Sequence, residues 1–127
     1  MWKMTKKQRE ITEGLDWGIY DGGDYYELSK YSPAGEDFSI IAHRDGESYA
    51  QELREAYDGF DPDEHAAMWY GQNRGEPSSL RELLDDAEAI NQMIEELAIA
   101  ISNPSGYASL NKKSKGRTKP LVSRRRR

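Results

Sequence analysis

Between Ser79 and Asn103 an apolar residue recurs every three or four positions: Leu80, Leu83, Ala87, Ile90, Ile94, Leu97 and Ile101. That spacing is the mark of a helix apolar along one side, and Leu84, Met93 and Ala98 widen the stripe. Ser79, followed three residues later by Glu82, forms a capping box at its start, and Asn103-Pro104 stops it. A helix of this kind, about 25 residues long, needs a surface to lie against, because its stability in water comes mostly from burying the stripe. Three heptads could meet a second helix in a coiled coil. A small sheet asks for the same stripe, and the chain upstream supplies one.

From Asp24 the apolar period changes to two: Tyr26 and Leu28 fall on one face, and Tyr25, Glu27, Ser29 and Tyr31 on the other. Ser32-Pro33-Ala34-Gly35 is turn chemistry, with Pro presetting the backbone at the second position and Gly suited to the fourth. Phe38, Ile40 and Ala42 alternate in turn, so Asp24 to Ser32 and Glu36 to Arg44 form an expected antiparallel hairpin. An edge strand from Trp17 to Asp21 lies beyond Gly22-Gly23. Thr5 to Leu15 has the makings of a short helix, with Trp2, Ile11 and Leu15 as sparse apolar positions. Ser48 with Gln51, and Asp61 with Glu64, mark two more helix starts, the second reinforced by Pro62 at the first helical position. The expected fold is α+β: a two- or three-stranded antiparallel sheet packed by two short helices and one long C-terminal helix. It occupies residues 1–103, and a disordered basic tail follows over 104–127.

Charge divides the chain at the same place. All 23 Asp and Glu precede Asn103, while nine of the 18 Lys and Arg follow it, so residues 1–103 carry net −14 and residues 104–127 net +9. The acidic body repels nucleic acid and attracts basic protein surfaces, whereas a tail holding Lys112, Lys113, Lys115, Arg117, Lys119, Arg124, Arg125, Arg126 and Arg127 seeks phosphate. A hydrophobic fraction of 36% is low, but the aromatics between Trp17 and Trp69 and the stripe after Ser79 give one domain a core. The absence of cysteine excludes disulfides and thiol nucleophiles and suits a reducing cytosol. No apolar run approaches the ~18 residues of a membrane span, and Met1 to Glu13 lacks the apolar centre of a signal peptide. A soluble, cytoplasmic protein without a membrane partner is expected.

Motifs for catalysis are missing. His43 and His65 are the natural candidates for a base or a metal ligand, yet Asp58 to Trp69 has Asp63 where a calcium loop needs its turn glycine. The acids Asp61, Asp63 and Glu64 beside His65 are better suited to a helix start, where negative charge complements the dipole. Glycines 14, 18, 22 and 23 could cradle phosphate, but Glu13, Asp16, Asp21 and Asp24 surround them and no Lys-Ser or Lys-Thr follows. There is no nucleophile elbow and no zinc-protease motif. A protein without enzymatic activity, cofactor or metal is expected.

The acids on the last helix are more suggestive. Glu82, Asp85, Asp86, Glu88, Glu95 and Glu96 lie off the apolar stripe, and carboxylates recurring each turn at about 5–6 Å approximate phosphate spacing on a nucleic-acid strand. These six form the candidate partner-binding face. The nine tail cations, Arg125 and Arg126 among them, form a candidate nucleic-acid contact. The segments Tyr31-Ser32-Pro33-Ala34-Gly35-Glu36-Asp37-Phe38, Phe60-Asp61-Pro62-Asp63-Glu64-His65-Ala66 and Leu83-Leu84-Asp85-Asp86-Ala87 resemble those of small proteins carried by bacteriophages and mobile elements of Gram-positive bacteria. The resemblance spans roughly Asp24 to Ala100. Proteins of that setting include anti-CRISPR and anti-restriction inhibitors, some of which mimic DNA in charge. The resemblance implies a non-enzymatic inhibitor, acting in the bacterial cytoplasm on a basic nucleic-acid-handling protein such as the CRISPR effector nuclease Cas9. The Arg-rich tail departs from a pure DNA mimic. It leaves open a second expectation, a small accessory or regulatory protein that contacts RNA or DNA through the tail.

Overall fold

The computed structural model describes residues 1–71 and 79–103. The period-two segment becomes the centre of a three-stranded antiparallel sheet, in the order β1 (Gly18–Asp21), β2 (Tyr25–Tyr31), β3 (Asp37–His43). Its register sets Leu28 opposite both Ile19 and Ile40, and Tyr26 opposite Ala42. One pleat face therefore collects Tyr26, Leu28, Ile40 and Ala42, all buried. Among the described residues four helices accompany the sheet: α1 (Lys6–Gly14), α2 (Tyr49–Gly59), α3 (Pro62–Gly71) and α4 (Leu80–Ser102). The fold is α+β as expected, with all three strands formed and α1 as a third short helix.

The heptad-like stripe is core. Ile90, Ile94 and Leu97 have no exposed surface and join one cluster with Leu28, Ile40, Tyr26 and Leu53. Ala89, Met93 and Ala100, on a neighbouring side of α4, are buried too, because α2 and α3 both pack along this helix and α1 also touches it. The stripe's first residue, Leu80, stays half exposed, so the covering begins about a turn into the helix. Among the described residues, no helix is long and apolar enough to cross a membrane.

The helices start where the sequence places them, with one addition, but of the three expected reciprocal boxes only that at Ser79 is complete. Ser79 and Glu82 form the full reciprocal box, and Asp61 Oδ1 accepts from the Asp63 and Glu64 amides at the start of α3. Ser48 accepts from the Gln51 amide, but the Gln51 side chain turns to Glu55, so only half of that expected box exists. Thr5 and Gln8 complete a box that sets the start of α1. Between β2 and β3, Gly35 N donates to Ser32 O at 2.9 Å, and Gly35 takes a φ of +99°, the left-handed conformation that glycine reaches without steric cost.

The N-terminal segment is fastened to the end of β3. Trp2 donates through its backbone N to Arg44 O and through Nε1 to His43 O, while its ring stacks on Tyr49 at 5.5 Å. Tyr49 is buried beneath it, and the Tyr49 hydroxyl lies 2.7 Å from Thr12 Oγ1. Because Thr12 donates its proton to Gln8 O, the tyrosine is the donor in this pair. Burial pushes the Tyr49 hydroxyl well above its ordinary value, against the opposing influence of the Thr12 bond and the Arg9 charge, which keeps it a neutral donor.

The side of α4 that faces the core is testable by paired truncations. Ile94→Ala, at a position with no exposed surface, should cost about 2–5 kcal/mol in urea unfolding, whereas Ile99→Ala, 54% exposed, should stay within about 0.5 kcal/mol. Similar losses at both positions would contradict this orientation.

Candidate functional site

The side of α4 turned away from the core is a continuous exposed ridge: Arg81, Asp85, Glu88, Gln92, Glu95, Ile99 and Ser102, with Glu96 beside it. Steps of four and three residues keep these positions on one line, and Asp85 to Glu96 spans about 16 Å at 1.5 Å per residue. Four of the six carboxylates expected here, Asp85, Glu88, Glu95 and Glu96, therefore lie exposed on a common face. Arg81 is the single cation on the helix.

The other two have tasks inside the fold. Glu82 Oε1 accepts from the Ser79 backbone N at 2.9 Å, which commits one of its oxygens to the helix cap. Asp86 is half buried and reaches across to the β2–β3 turn. Its Oδ2 accepts from Ser32 Oγ at 2.6 Å and its Oδ1 from Ala34 N at 2.9 Å. Ser32 Oγ in turn accepts from Glu36 N at 3.0 Å, so a single carboxylate organises both sides of the turn. Asp86 thus belongs to the framework. Its off-stripe position did not reveal this, because the partner turn lies more than 50 residues away in sequence.

The same turn has a second clamp. His65 Nε2 lies 3.0 Å from both oxygens of Glu36, and its ring packs against Phe60 at 5.0 Å and Phe38 at 6.2 Å. The carboxylate beside His65 in space is thus Glu36 from β3's approach; Asp61, its neighbour in sequence, serves the helix cap. His43 is exposed on β3, and its backbone N donates to Glu52 Oε1 at 2.8 Å. Among the described residues, no three His, Asp or Glu side chains converge in an arrangement that could hold a cation.

The glycine-rich stretch forms connections. Gly23 has a φ of +95° and its N–H donates to Asp21 Oδ1 at 2.9 Å, while a Cβ at Gly22 would fall 2.2 Å from the Tyr25 ring. The left-handed backbone at Gly23 favours glycine there, and a side chain at Gly22 would displace the Tyr25 ring. Beside the ridge, a groove of about 490 Å³ runs between α2 and the C-terminal half of α4, lined by Arg54, Tyr57, Asp58, Glu95, Ala98 and Ile99 among others.

The expected nucleic-acid contact is not placed by the structure. Its cations Lys112, Lys113, Lys115, Arg117, Lys119, Arg124, Arg125, Arg126 and Arg127, and the expectation of disorder over 104–127, lie outside the described residues.

One exposed surface was not singled out from sequence. The outer face of the sheet carries Tyr20, Tyr25 and Tyr31, with Glu27, Ile41 and His43. Alternation already separates Tyr25 and Tyr31 from Tyr26 and Leu28; which face the helices would leave open was the missing information.

The framework role of Asp86 predicts an asymmetry between neighbouring acids. Asp86→Ala should cost about 1.5–3 kcal/mol and release the Ala34 amide to faster hydrogen exchange, because it breaks two hydrogen bonds to a charged acceptor. Glu88→Ala should change stability by no more than about 0.5 kcal/mol. Equal, small effects would place Asp86 back among the surface acids. Comparison of the chain with protein-family models, with curated proteins and with solved structures returns no match.

Proposed function

We propose that the protein is a non-enzymatic inhibitor that uses its acidic body to occupy a nucleic-acid-binding surface on a basic protein, a defence nuclease of the CRISPR-effector type such as Cas9. The observation that carries this reading is how little of the body's charge is compensated by ion pairs among the described residues. Only Glu76 of its 23 carboxylate residues falls outside the described residues. Among the described residues a single Lys- or Arg-to-carboxylate ion pair occurs, Arg9 to Glu13 at 3.8 Å, on the surface. A further pair joins His65 and Glu36. Excess charge of this kind destabilises a compact body through self-repulsion, and a basic partner relieves that repulsion on binding.

The exposed ridge gives the charge a shape. Its carboxylates stand on a rigid helix backbone, which limits the ordering required on binding; Asp85 and Glu88 lie about one turn apart, as phosphates do along a strand, and Glu95 and Glu96 follow about two turns further on. In a guide-loaded effector the surface that receives the target duplex is positively charged and open before the target arrives, and a preorganised acidic surface competes for it. The cytoplasm of a bacterial host is the compartment this function requires.

Reversal of Asp85, Glu88, Glu95 and Glu96 to Lys changes the ridge by eight charge units without touching the cap or the turn. In a DNA-cleavage assay with guide-loaded Cas9, the full chain should suppress cleavage and the reversed variant should lose at least tenfold in potency. Undiminished inhibition by the variant would overturn the role of the ridge. Cleavage unaffected by the native chain across a panel of basic nucleases would overturn the proposal itself.

A further inference from the structure

The sheet has an inner face covered by helices and an outer face that is open. Tyr20 is 60% exposed, Tyr31 68% and Ile41 44%, and all three lie on that outer face. The register places Tyr20, Glu27 and Ile41 in one row across the three strands, with Tyr25 opposite His43 in the next row on one side and, beyond the Gly18–Ser29–Ser39 row on the other, Tyr31 opposite Asp37. The Tyr20 and Tyr25 rings stand 6.3 Å apart, tilted by 47°. Exposed tyrosines on a rigid sheet are unusual for a surface that meets only water, and tyrosine is among the residues that anchor protein interfaces.

The two cations borne by the sheet and its end are both turned away from this face. Lys30 points inward, where its Nζ donates to Leu15 O at 2.8 Å and lies over the Trp17 ring. Arg44 also turns inward, donating to Trp2 O and Gly23 O above the Tyr26 ring. Among the described residues, the outer face therefore carries tyrosine rings and the carboxylates Glu27 and Asp37, with no lysine or arginine. Aromatic faces attract cations, and a guanidinium can stack on a ring while its N–H groups meet a carboxylate.

We propose that the outer sheet face, centred on Tyr20, Tyr25, Tyr31 and Glu27, is a docking surface for arginine side chains on a basic partner protein. This assignment rests on the acidic-binder reading above and adds a second, chemically distinct contact to it. Nucleic acid does not fit the face, because phosphate would meet Glu27 and Asp37 without a compensating cation. A second copy fits less well, since its face would bring the same carboxylates to a surface that holds no lysine or arginine to meet them. The chain's own basic segment starts after the C-terminal end of α4, and the acids nearest that end are Glu95, Glu96 and Asp58, on the helical side of the body.

Two peptides of equal charge, nona-arginine and nona-lysine, separate this contact from general acidity when titrated into the full chain and followed by amide chemical shifts. The arginine peptide should bind at least about threefold more tightly and shift Tyr20, Tyr25, Tyr31, Ile41 and His43. The preference should vanish in Tyr20→Ser/Tyr31→Ser, which leaves every charge unchanged. Equal affinities, or shifts confined to α4, would overturn the assignment. So would sheet-face shifts on replacing Arg124, Arg125, Arg126 and Arg127 by Ser before peptide is added, which would make the chain's own tail the occupant. Shifts there that grow with protein concentration alone would instead identify a second copy and equally overturn it. Nuclease inhibition that survives the tyrosine substitutions but not ridge reversal would leave the acidic-binder reading standing and remove this one.

Discussion

Burial of Ile90, Ile94 and Leu97 in one cluster with Leu28, Ile40 and Tyr26 orders the rest of the molecule. Each side of that contact is useless alone: a three-stranded sheet of this size is marginal in water, and the long helix has too much apolar surface to stand free. Their union determines which face of the sheet is inside and which side of α4 is outside. The burial of Tyr49 and Leu53 from α2, the approach of α3 along α4 and the strap formed by Trp2 all close the same core from its edges.

Two polar clamps then hold the β2–β3 turn to the helices. Asp86 reaches it from α4 through Ser32 and Ala34, and His65 reaches it from α3 through Glu36. These contacts explain why a body carrying net −14 over residues 1–103 keeps a defined shape. A few of its charges are tied into the framework; most of the others lie exposed over the body, four of them on α4's ridge, where repulsion is moderated by water and salt. The proposed function uses those exposed charges. A surface dense in exposed carboxylates, rigidly displayed, has a natural counterpart in a protein built to hold phosphate.

The elements were legible where one local signal sufficed. The three-and-four spacing gave α4, alternation gave β2 and β3, Pro33 and Gly35 gave their turn, and the acids at Asp61 to Glu64 gave a helix start. What escaped was long-range. The Thr5–Gln8 box was hidden by the weak apolar pattern of α1, and the burial of Ala89 and Ala100 beside Met93, which already widened the stripe, became visible only once α2 and α3 were placed beside α4. The candidate face was legible in outline: four of six acids lie on the exposed ridge, and the two that do not, Glu82 and Asp86, are captured by a cap and by a distant turn. Composition counts charges, but it does not reveal which of them the fold has already engaged.

If the proposed function holds, the acidic body and a nucleic acid exclude each other from one basic surface. The most direct measurement is fluorescence anisotropy of a labelled target duplex bound to guide-loaded, cleavage-inactive Cas9, titrated with the full chain at several salt concentrations. Anisotropy should fall to that of the free duplex, and the affinity of the chain for duplex-free, guide-loaded Cas9 should weaken as salt rises. An anisotropy that rises instead, reporting a ternary complex, or a direct affinity of the chain for guide-loaded Cas9 that is indifferent to salt, would contradict competition for one basic surface.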